Sequence, residues 1–345
     1  MSKLRLEVID DAPCSTRGAA ATGAAPEAAA GTPRLSPPHL ARLLGPKEPT
    51  AADCNQDDAN EAATAAARAA AAEFAGTAPE GARCYICLEG GPGLVRGCAC
   101  RGTAGYAHVG CLAAHARSAH TFARWQACGL CKNAYQGATA MALATAAWAT
   151  YVSAPEHDDR RLSAQVELAG QLLAAGRFAE ARPKLEAGLQ TCARVGDDAR
   201  ALVVTANLAL SYHLEGRAED ALQLTRAVFR EQRRLRGPRH PETLLAASNL
   251  AGLLLSRGNA AEALGLLREA RRNASGLARD SDVRLRLTYN IAHALCATGN
   301  HGEAEALAEE NLILQNRVYG AAHPNAAAAL ELVGHVRAGL AAQAA

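Results

Sequence analysis

The C-terminal half of the chain carries apolar residues at the spacing of α-helices, interrupted by short polar turns. Between residues 244 and 253, leucines and small residues recur on one helical face. The segment 257–259, Arg-Gly-Asn, then breaks the pattern, and its glycine suits the left-handed position just beyond a helix end. A second stripe begins at Ala263, Leu264 and Leu267. This stretch therefore predicts two helices joined by a tight turn.

The same hairpin pattern occurs four times at a nearly constant spacing. In each copy a glycine stands five residues before an alanine that follows an acidic residue, and these glycines are Gly176, Gly216, Gly258 and Gly299. Nine residues before each of the last three glycines, an asparagine precedes Leu-Ala or Ile-Ala, at Asn207, Asn249 and Asn290. A single hairpin cannot bury its apolar face, so repeated hairpins predict a stack with a shared core.

The linker 237–243, Gly-Pro-Arg-His-Pro-Glu-Thr, resembles the Gly-x-x-His-Pro-x-Thr signature of kinesin light chain-type tetratricopeptide repeats. The resemblance implies an α-solenoid over 160–345, with about four repeats and a capping helix, and a groove that binds a protein or peptide substrate. It also implies that Asn207, Asn249 and Asn290 face the groove. The alternative is that these asparagines serve only in packing between helices.

Residues 1–80 have a different composition, with 24 alanines, 8 of the 14 prolines and Phe74 as their only aromatic residue. Such a segment buries too little apolar surface to offset its conformational entropy, so we expect a disordered tail with at most a transient helix at 61–74. Residues 133–153 carry no charge. Their alanine and threonine content favours a packed connecting helix, within 137–159, over a membrane span.

Seven of the 11 cysteines lie between residues 84 and 131, and together with one histidine they form four closely spaced pairs. The pairs are Cys84 with Cys87, Cys98 with Cys100, His108 with Cys111, and Cys128 with Cys131. A two-residue spacer lets one turn present two thiolates to one ion, and structural zinc takes four S or N ligands. Eight ligands therefore predict two closed zinc sites, which would supply most of the folding energy of this small segment.

The motifs at 84–89, 98–103, 106–112 and 128–132 together resemble the RING-CH variant of the RING finger, over about 81–136. The resemblance implies a cross-brace in which Cys84, Cys87, His108 and Cys111 hold one zinc. Cys98, Cys100, Cys128 and Cys131 would hold the other. A PHD finger, which reads histone tails, shares the ligand order, but it usually has a Trp two residues before the last pair. Here Trp125 stands three residues before Cys128.

A RING-CH resemblance implies a ubiquitin-protein ligase that docks a ubiquitin-charged conjugating enzyme. Docking would use Ile86 and Leu130, Lys132 would contact ubiquitin, and local packing of the zinc loops is the alternative role. The family commonly has Trp four residues after the sixth ligand, where this chain has His115. A non-enzymatic adaptor built from the same two modules is therefore the second hypothesis.

Charge and the N-terminal sequence bear on the partners and the cellular location of these modules. The net charge of +2 gives no reason to expect nucleic acid as a partner. Residues 1–13 contain no apolar stretch of the signal-peptide type, so we expect a protein that is not secreted. Clustered metal-binding thiols suit a reducing compartment, which predicts a cytoplasmic or nuclear location.

Overall fold

The computed structural model describes residues 56–74, 78–100, 102–119, 121–321 and 323–344, and thus excludes most of the predicted tail and His120. The described residues divide into two compact units, one up to Ser211 and the other from Tyr212 onward. They contain thirteen helices and one antiparallel pair of two-residue strands. The prediction of a mostly α-helical fold with helical repeats is confirmed.

The first unit contains the cysteine-rich segment and the first repeat. Its elements are α1 (Gln56–Glu73), β1 (Leu94–Val95), β2 (Ala107–His108), α2 (Val109–Ser118), α3 (Ala123–Gln126), α4 (Gly137–Tyr151), α5 (Asp159–Ala174) and α6 (Phe178–Val195). Helix α7 (Asp198–Leu214) crosses the division between the units. The second unit continues with α8 (Ala218–Arg236), α9 (Pro241–Ser256), α10 (Ala260–Asn273), α11 (Asp282–Ala297), α12 (His301–Tyr319) and α13 (Pro324–Ala344).

Helix α1 corrects the prediction of disorder over part of residues 1–80. It packs along α4, with Ala59 and Ala70 buried. The Gln56 side chain joins the two segments, because its Nε2 donates to the carbonyl of Ala149 (2.6 Å) and its Oε1 accepts from Ser153 Oγ (2.7 Å). Alanine has the highest helix propensity, and α4 supplies the packing surface that the composition of the tail alone could not reveal.

Helix α4 lies at the centre of the first unit. It contacts α1, α2, α3 and α5, and most of its residues are buried, including Leu143 and Trp148. The cysteine-rich segment between α1 and α4 is therefore an insertion between two packed helices. No helix among the described residues is both long and apolar enough to cross a membrane.

The repeat turns follow the pattern expected from the glycines. Gly176, Gly216, Gly258 and Gly299 all have left-handed backbones, with φ between 71° and 80°. This conformation ends the first helix of each hairpin at low cost because glycine has no Cβ. The alanines that follow these turns are almost fully buried, at Ala181, Ala221, Ala263 and Ala304.

The His-Pro linkers begin helices by an identifiable capping interaction. His240 is the N-cap of α9, and its Nδ1 accepts a hydrogen bond from the backbone N–H of Glu242 (3.2 Å). His323 repeats the arrangement before α13, with Nδ1 accepting from the backbone N–H of Asn325 (3.0 Å). The following proline occupies the first helical position, where a missing N–H costs nothing.

The last helix, α13, packs closely on α11 and α12. Gly339 permits this contact, because a Cβ at this position would lie 2.4 Å from Cε1 of His301, whose side chain is buried. A Cβ at Gly334, on the same helix, would have no heavy atom within 4 Å. Alanine substitutions at the two glycines therefore distinguish the effect of helix propensity on stability from the effect of packing.

We predict that Gly339→Ala lowers the free energy of unfolding by about 1–3 kcal/mol, since the added methyl group overpacks the His301 contact. Gly334→Ala should instead stabilise the chain by up to about 1 kcal/mol through helix propensity. Chemical denaturation followed by circular dichroism measures both. Addition of His301→Ala should remove most of the Gly339→Ala penalty, and equal effects of the two glycine substitutions would contradict the packing argument.

Candidate metal centre

The loop at Cys84 and Cys87 is a tight turn closed by backbone hydrogen bonds. The N–H of Cys84 donates to the carbonyl of Glu89 (2.8 Å), and the N–H of Leu88 donates back to the carbonyl of Cys84 (2.8 Å). Leu88 takes a left-handed backbone with φ 65°, which is uncommon for a residue with a side chain. The result is a tight turn that carries both thiols.

The loop at Cys128 and Cys131 repeats this geometry. The N–H of Cys128 donates to the carbonyl of Asn133 (2.9 Å), and the N–H of Lys132 donates to the carbonyl of Cys128 (3.1 Å). Lys132 has a φ of 62°, and it follows the second cysteine just as Leu88 does in the first loop. The two loops are distant in sequence, and both present a pair of thiols through the same type of backbone turn.

The first ligand set is completed by the short strand pair and the start of α2. Strand β2 pairs with β1, which aligns His108 with Leu94, and Cys111 lies in the first turn of α2. His108 Nδ1 lies 3.5 Å from Cys87 Sγ and 3.8 Å from Cys111 Sγ. The donor atoms of Cys84, Cys87, His108 and Cys111 all lie within 4.8 Å of one another.

The second set consists of Cys98, Cys100, Cys128 and Cys131, whose sulfurs also lie within 4.8 Å of one another. The sulfurs of Cys100 and Cys128, both buried, are 3.8 Å apart. The loop closes tightly on this set, because a Cβ at Gly105 would lie 2.6 Å from Cys100 Cβ and 3.1 Å from Cys98 Sγ. The structure thus brings all eight expected ligands into the two interleaved sets that the RING-CH resemblance implied.

Three donor–donor distances within these sets fit a tetrahedral ion. With Zn–S near 2.3 Å and Zn–N near 2.0–2.1 Å, a tetrahedron places sulfurs about 3.8 Å apart and S and N about 3.6 Å apart. The observed separations of 3.8 Å for S–S and of 3.5 and 3.8 Å for S–N agree with this. Each set offers four protein donors to an ion. Four protein ligands are typical of structural zinc, whereas catalytic zinc keeps one coordination position for water or substrate.

Thiols bind a metal ion in their deprotonated form, so the pKa values of the cysteines bear on metal binding. Burial is the main cause that raises the pKa of Cys100 to about 11 and that of Cys111 to about 12, and it also raises the pKa of Cys98. At Cys84 burial acts in the same direction, but backbone N–H groups outweigh it and lower the pKa to about 6. Metal binding at these sites would therefore release protons.

The predicted docking residues lie in and beside the two cysteine loops. Leu130 is 52% exposed, whereas Ile86 is half-buried against the core of the segment. Lys132 is exposed, and its Nζ donates to the carbonyl of Gly129 (2.6 Å). His115 is exposed on α2, with its Nε2 3.7 Å from the position that a Cβ at Gly129 would take.

Sequence reasoning missed Leu88, which is 67% exposed at the left-handed position of the first loop. Its place directly after Cys87 was the available signal, since an apolar residue that follows a tight turn has little chance of burial. The exposed apolar surface of the segment is thus carried by both cysteine loops, through Leu88 and Leu130.

The three asparagines have unlike environments. The Nδ2 of Asn290 donates to the carbonyl (3.1 Å) and to Oγ (2.9 Å) of Ser248, which ties α11 to α9. Asn249 is half-buried. Asn207 is only 3% exposed, and its Nδ2 has no partner among the described residues. A packing role is therefore evident for Asn290.

Comparisons with known proteins identify the helical repeats. Family models of the tetratricopeptide repeat match residues 199–275 and 285–325. These repeats therefore form a tetratricopeptide-like solenoid, a fold that serves protein–protein interaction. A search of curated proteins returned no match.

Solved structures similar to this chain include two of a Podosopora anserina kinesin light chain with nearly identical TPR-like repeats. One, a variant with a single substitution, has 25% identity, a TM-score of 0.44 and coverage of 52% of this chain and 87% of that chain. The other has 26% identity, a TM-score of 0.41 and coverage of 53% and 96%. BtubC (BKLC) from P. vanneervenii has 17% identity, a TM-score of 0.44 and coverage of 59% and 90%.

We predict that the purified chain binds two equivalents of Zn²⁺ and that Gly105→Ala retains only about one, because the new Cβ would displace Cys100 and Cys98. Gly102→Ala is the matched control, since Gly102 also has a left-handed backbone but would place its Cβ in open space. Elemental analysis by mass spectrometry after gel filtration measures the zinc content. Retention of two equivalents by Gly105→Ala would argue against the second set as a metal site.

Proposed function

We propose that this protein is a RING-CH-type ubiquitin-protein ligase. Its two sets of four ligands, one with His108 and one of cysteines alone, hold structural zinc. Its cysteine loops dock a ubiquitin-charged conjugating enzyme, and its helical repeats bind the protein substrate. The observation that carries the proposal is the interleaving of the two ligand sets, whose donor atoms lie within 4.8 Å of one another in each set. Such a ligase would act in the cytoplasm or nucleus.

The proposed chemistry is catalysis by positioning. An amine of the substrate attacks the thioester between ubiquitin and the conjugating enzyme, an isopeptide bond forms, and the conjugating-enzyme cysteine leaves as a thiol. The ligase contributes no covalent intermediate, because it raises the rate by holding substrate and thioester in a reactive geometry. Zinc, when bound, supplies only the rigid scaffold of the loops.

The exposed apolar side chains of the cysteine loops support the docking role. Leu88 and Leu130 are the large hydrophobic residues most exposed in this segment, and neither contributes much to its core. Single exposed leucines are ordinary, but a leucine on a metal-tethered turn would present its apolar side chain in a fixed position to a partner. Ile86 underlies the first loop and would maintain its shape.

Contacts in the first unit support a defined geometry between the finger and the first repeat. Trp125 of α3 is buried, and its ring meets that of Tyr151 of α4 edge to face at 6.1 Å. Gln126 Nε2 donates to Glu167 Oε2 of α5 (2.6 Å). A substrate held by the first hairpin would therefore stand at a fixed distance from the conjugating enzyme, which favours transfer.

We predict that Leu130→Glu reduces ubiquitin discharge from the conjugating enzyme to free lysine by at least about tenfold, because it places a charge in the apolar docking contact. Leu235→Glu, at an exposed leucine of the repeats, should leave the rate unchanged. The assay uses the zinc-loaded full chain with a panel of charged conjugating enzymes. Cys84→Ser is the negative control. If the wild type binds two zinc ions but discharges ubiquitin no faster than Cys84→Ser, ligase activity with that panel is excluded.

A non-enzymatic adaptor is the second candidate function, and His115 is the observation that favours it. RING-CH fingers commonly have Trp at the corresponding position, whereas His115 offers a smaller and more polar contact beside Gly129. An adaptor would use the same surface to bind a partner without promoting ubiquitin transfer.

We predict that His115→Trp increases the affinity for a conjugating enzyme by about tenfold, since it adds buried aromatic area at the docking surface. Ala114→Trp, at the preceding exposed position of α2, is the matched control and should have no effect. Surface plasmon resonance with the conjugating-enzyme panel measures the affinity. No gain for His115→Trp would mean that α2 does not form part of the docking surface.

A further inference from the structure

A groove of about 760 Å³ lies where α1 meets the inserted cysteine-rich segment. It is bounded by α1 on one side, by α2 and His108 on the other, and by the C-terminal half of α4 along its floor. The groove exists only because α1 packs on α4 with the finger inserted between them. The groove lies outside the space enclosed by each set of four donor atoms, and it is not part of the helical repeats.

Eight of the fifteen residues that line the groove are glycine or alanine. Helix α1 contributes Ala63, Ala67 and Ala71, which recur at four-residue intervals on one face, and α2 contributes Gly110 and Ala113. Two alanines of α4 form part of the floor. Small side chains on facing helices let a further helix approach closely at these positions.

The charges at the groove have a single sign. Arg68 of α1 and Arg117 of α2 both line it, and both side chains are exposed. No carboxylate occurs among the described residues that line the groove, and the remaining polar lining groups are Asn60, Thr64, Thr150 and His108. Two arginines on opposite walls would pair with carboxylates on an incoming segment.

We propose that this groove binds an acidic amphipathic helix of a partner protein, with the apolar face of that helix against the alanines and its carboxylates on Arg68 and Arg117. The charge complementarity selects this occupant, because a basic or uncharged helix would leave both arginines without partners. The mode is helix-in-groove recognition, in which residues spaced three and four apart make the contacts.

The proposed site is separate from the conjugating-enzyme surface. Gly110, Ala113 and Arg117 lie on one face of α2, three and four residues apart. His115 lies two residues from both Ala113 and Arg117, which places it on the opposite face of the helix. A partner in the groove and a conjugating enzyme at Leu130 could therefore be tested independently.

The test uses the zinc-loaded full chain and two labelled probe peptides of about 18 residues, long enough to form a helix. One is an alanine–leucine helix with glutamate at every fourth position, and the other has lysine at the same positions. We expect saturable binding of the glutamate peptide alone, measured by fluorescence anisotropy. Raising the salt from about 0.1 M to about 1 M should weaken it, since the Debye length falls from about 10 Å to about 3 Å.

Variants then locate the binding. Arg68→Glu combined with Arg117→Glu should weaken the glutamate peptide by at least about tenfold, whereas Arg230→Glu, at an exposed arginine of α8, should not. Ala63→Trp fills the groove and should abolish binding, and Ala65→Trp, on the exposed face of α1, is its control. Circular dichroism and zinc content confirm that each variant is folded.

Three results would overturn the proposal: no saturable binding of the glutamate peptide, equal binding of the lysine peptide, or no effect of the Arg68 and Arg117 substitutions. Removal of residues 1–55 provides a further outcome. If the truncated chain binds the peptide much more tightly than the full chain, the occupant is the chain's own N-terminal segment rather than a partner protein.

Discussion

The packing of α4 against four other helices is the interaction on which the first unit depends. Its small side chains let α1 and α5 approach closely, while Leu143 and Trp148 supply its larger buried surface. Through α2 and α3 the same helix holds the cysteine-rich segment. The cysteine-rich segment and the first repeat are consequently parts of one packed unit, and any function that joins them relies on this helix.

A second constraint is the assembly of the two cysteine and histidine sets. The turns that carry the cysteines are local, whereas the pairing of the turns depends on tertiary structure. The turns at Cys84 and Cys128 form from contacts within six residues, so their two-residue spacing was enough to predict them. The identity of the partners in each set depends on long-range closure, because the β1–β2 pairing delivers His108 and the tight approach at Gly105 encloses the second set. Family resemblance, and not spacing, provided that pairing.

Prediction from sequence succeeded where a local backbone requirement repeated itself. The glycines at the repeat turns were predicted in this way, because the left-handed position after a helix end is a short-range requirement. It failed at α1, since an alanine-rich helix is stable only against a surface, and that surface lies about 80 residues further along the chain, on α4. The exposure of Leu88 was likewise missed: its place after Cys87 indicates a turn, but the direction in which the closed loop points decides which side chain is exposed.

The amino-acid pattern by itself determined that this chain has tetratricopeptide-like repeats and four closely spaced pairs of cysteine and histidine residues, since helical periodicity and residue spacing are properties of neighbouring residues. Only the tertiary structure decided that the cysteine-rich segment is inserted between α1 and α4, and that Arg68 and Arg117 line the same groove. These features bring together residues about 50 to 80 positions apart. Packing complementarity between distant segments decides such contacts, and no local pattern encodes it.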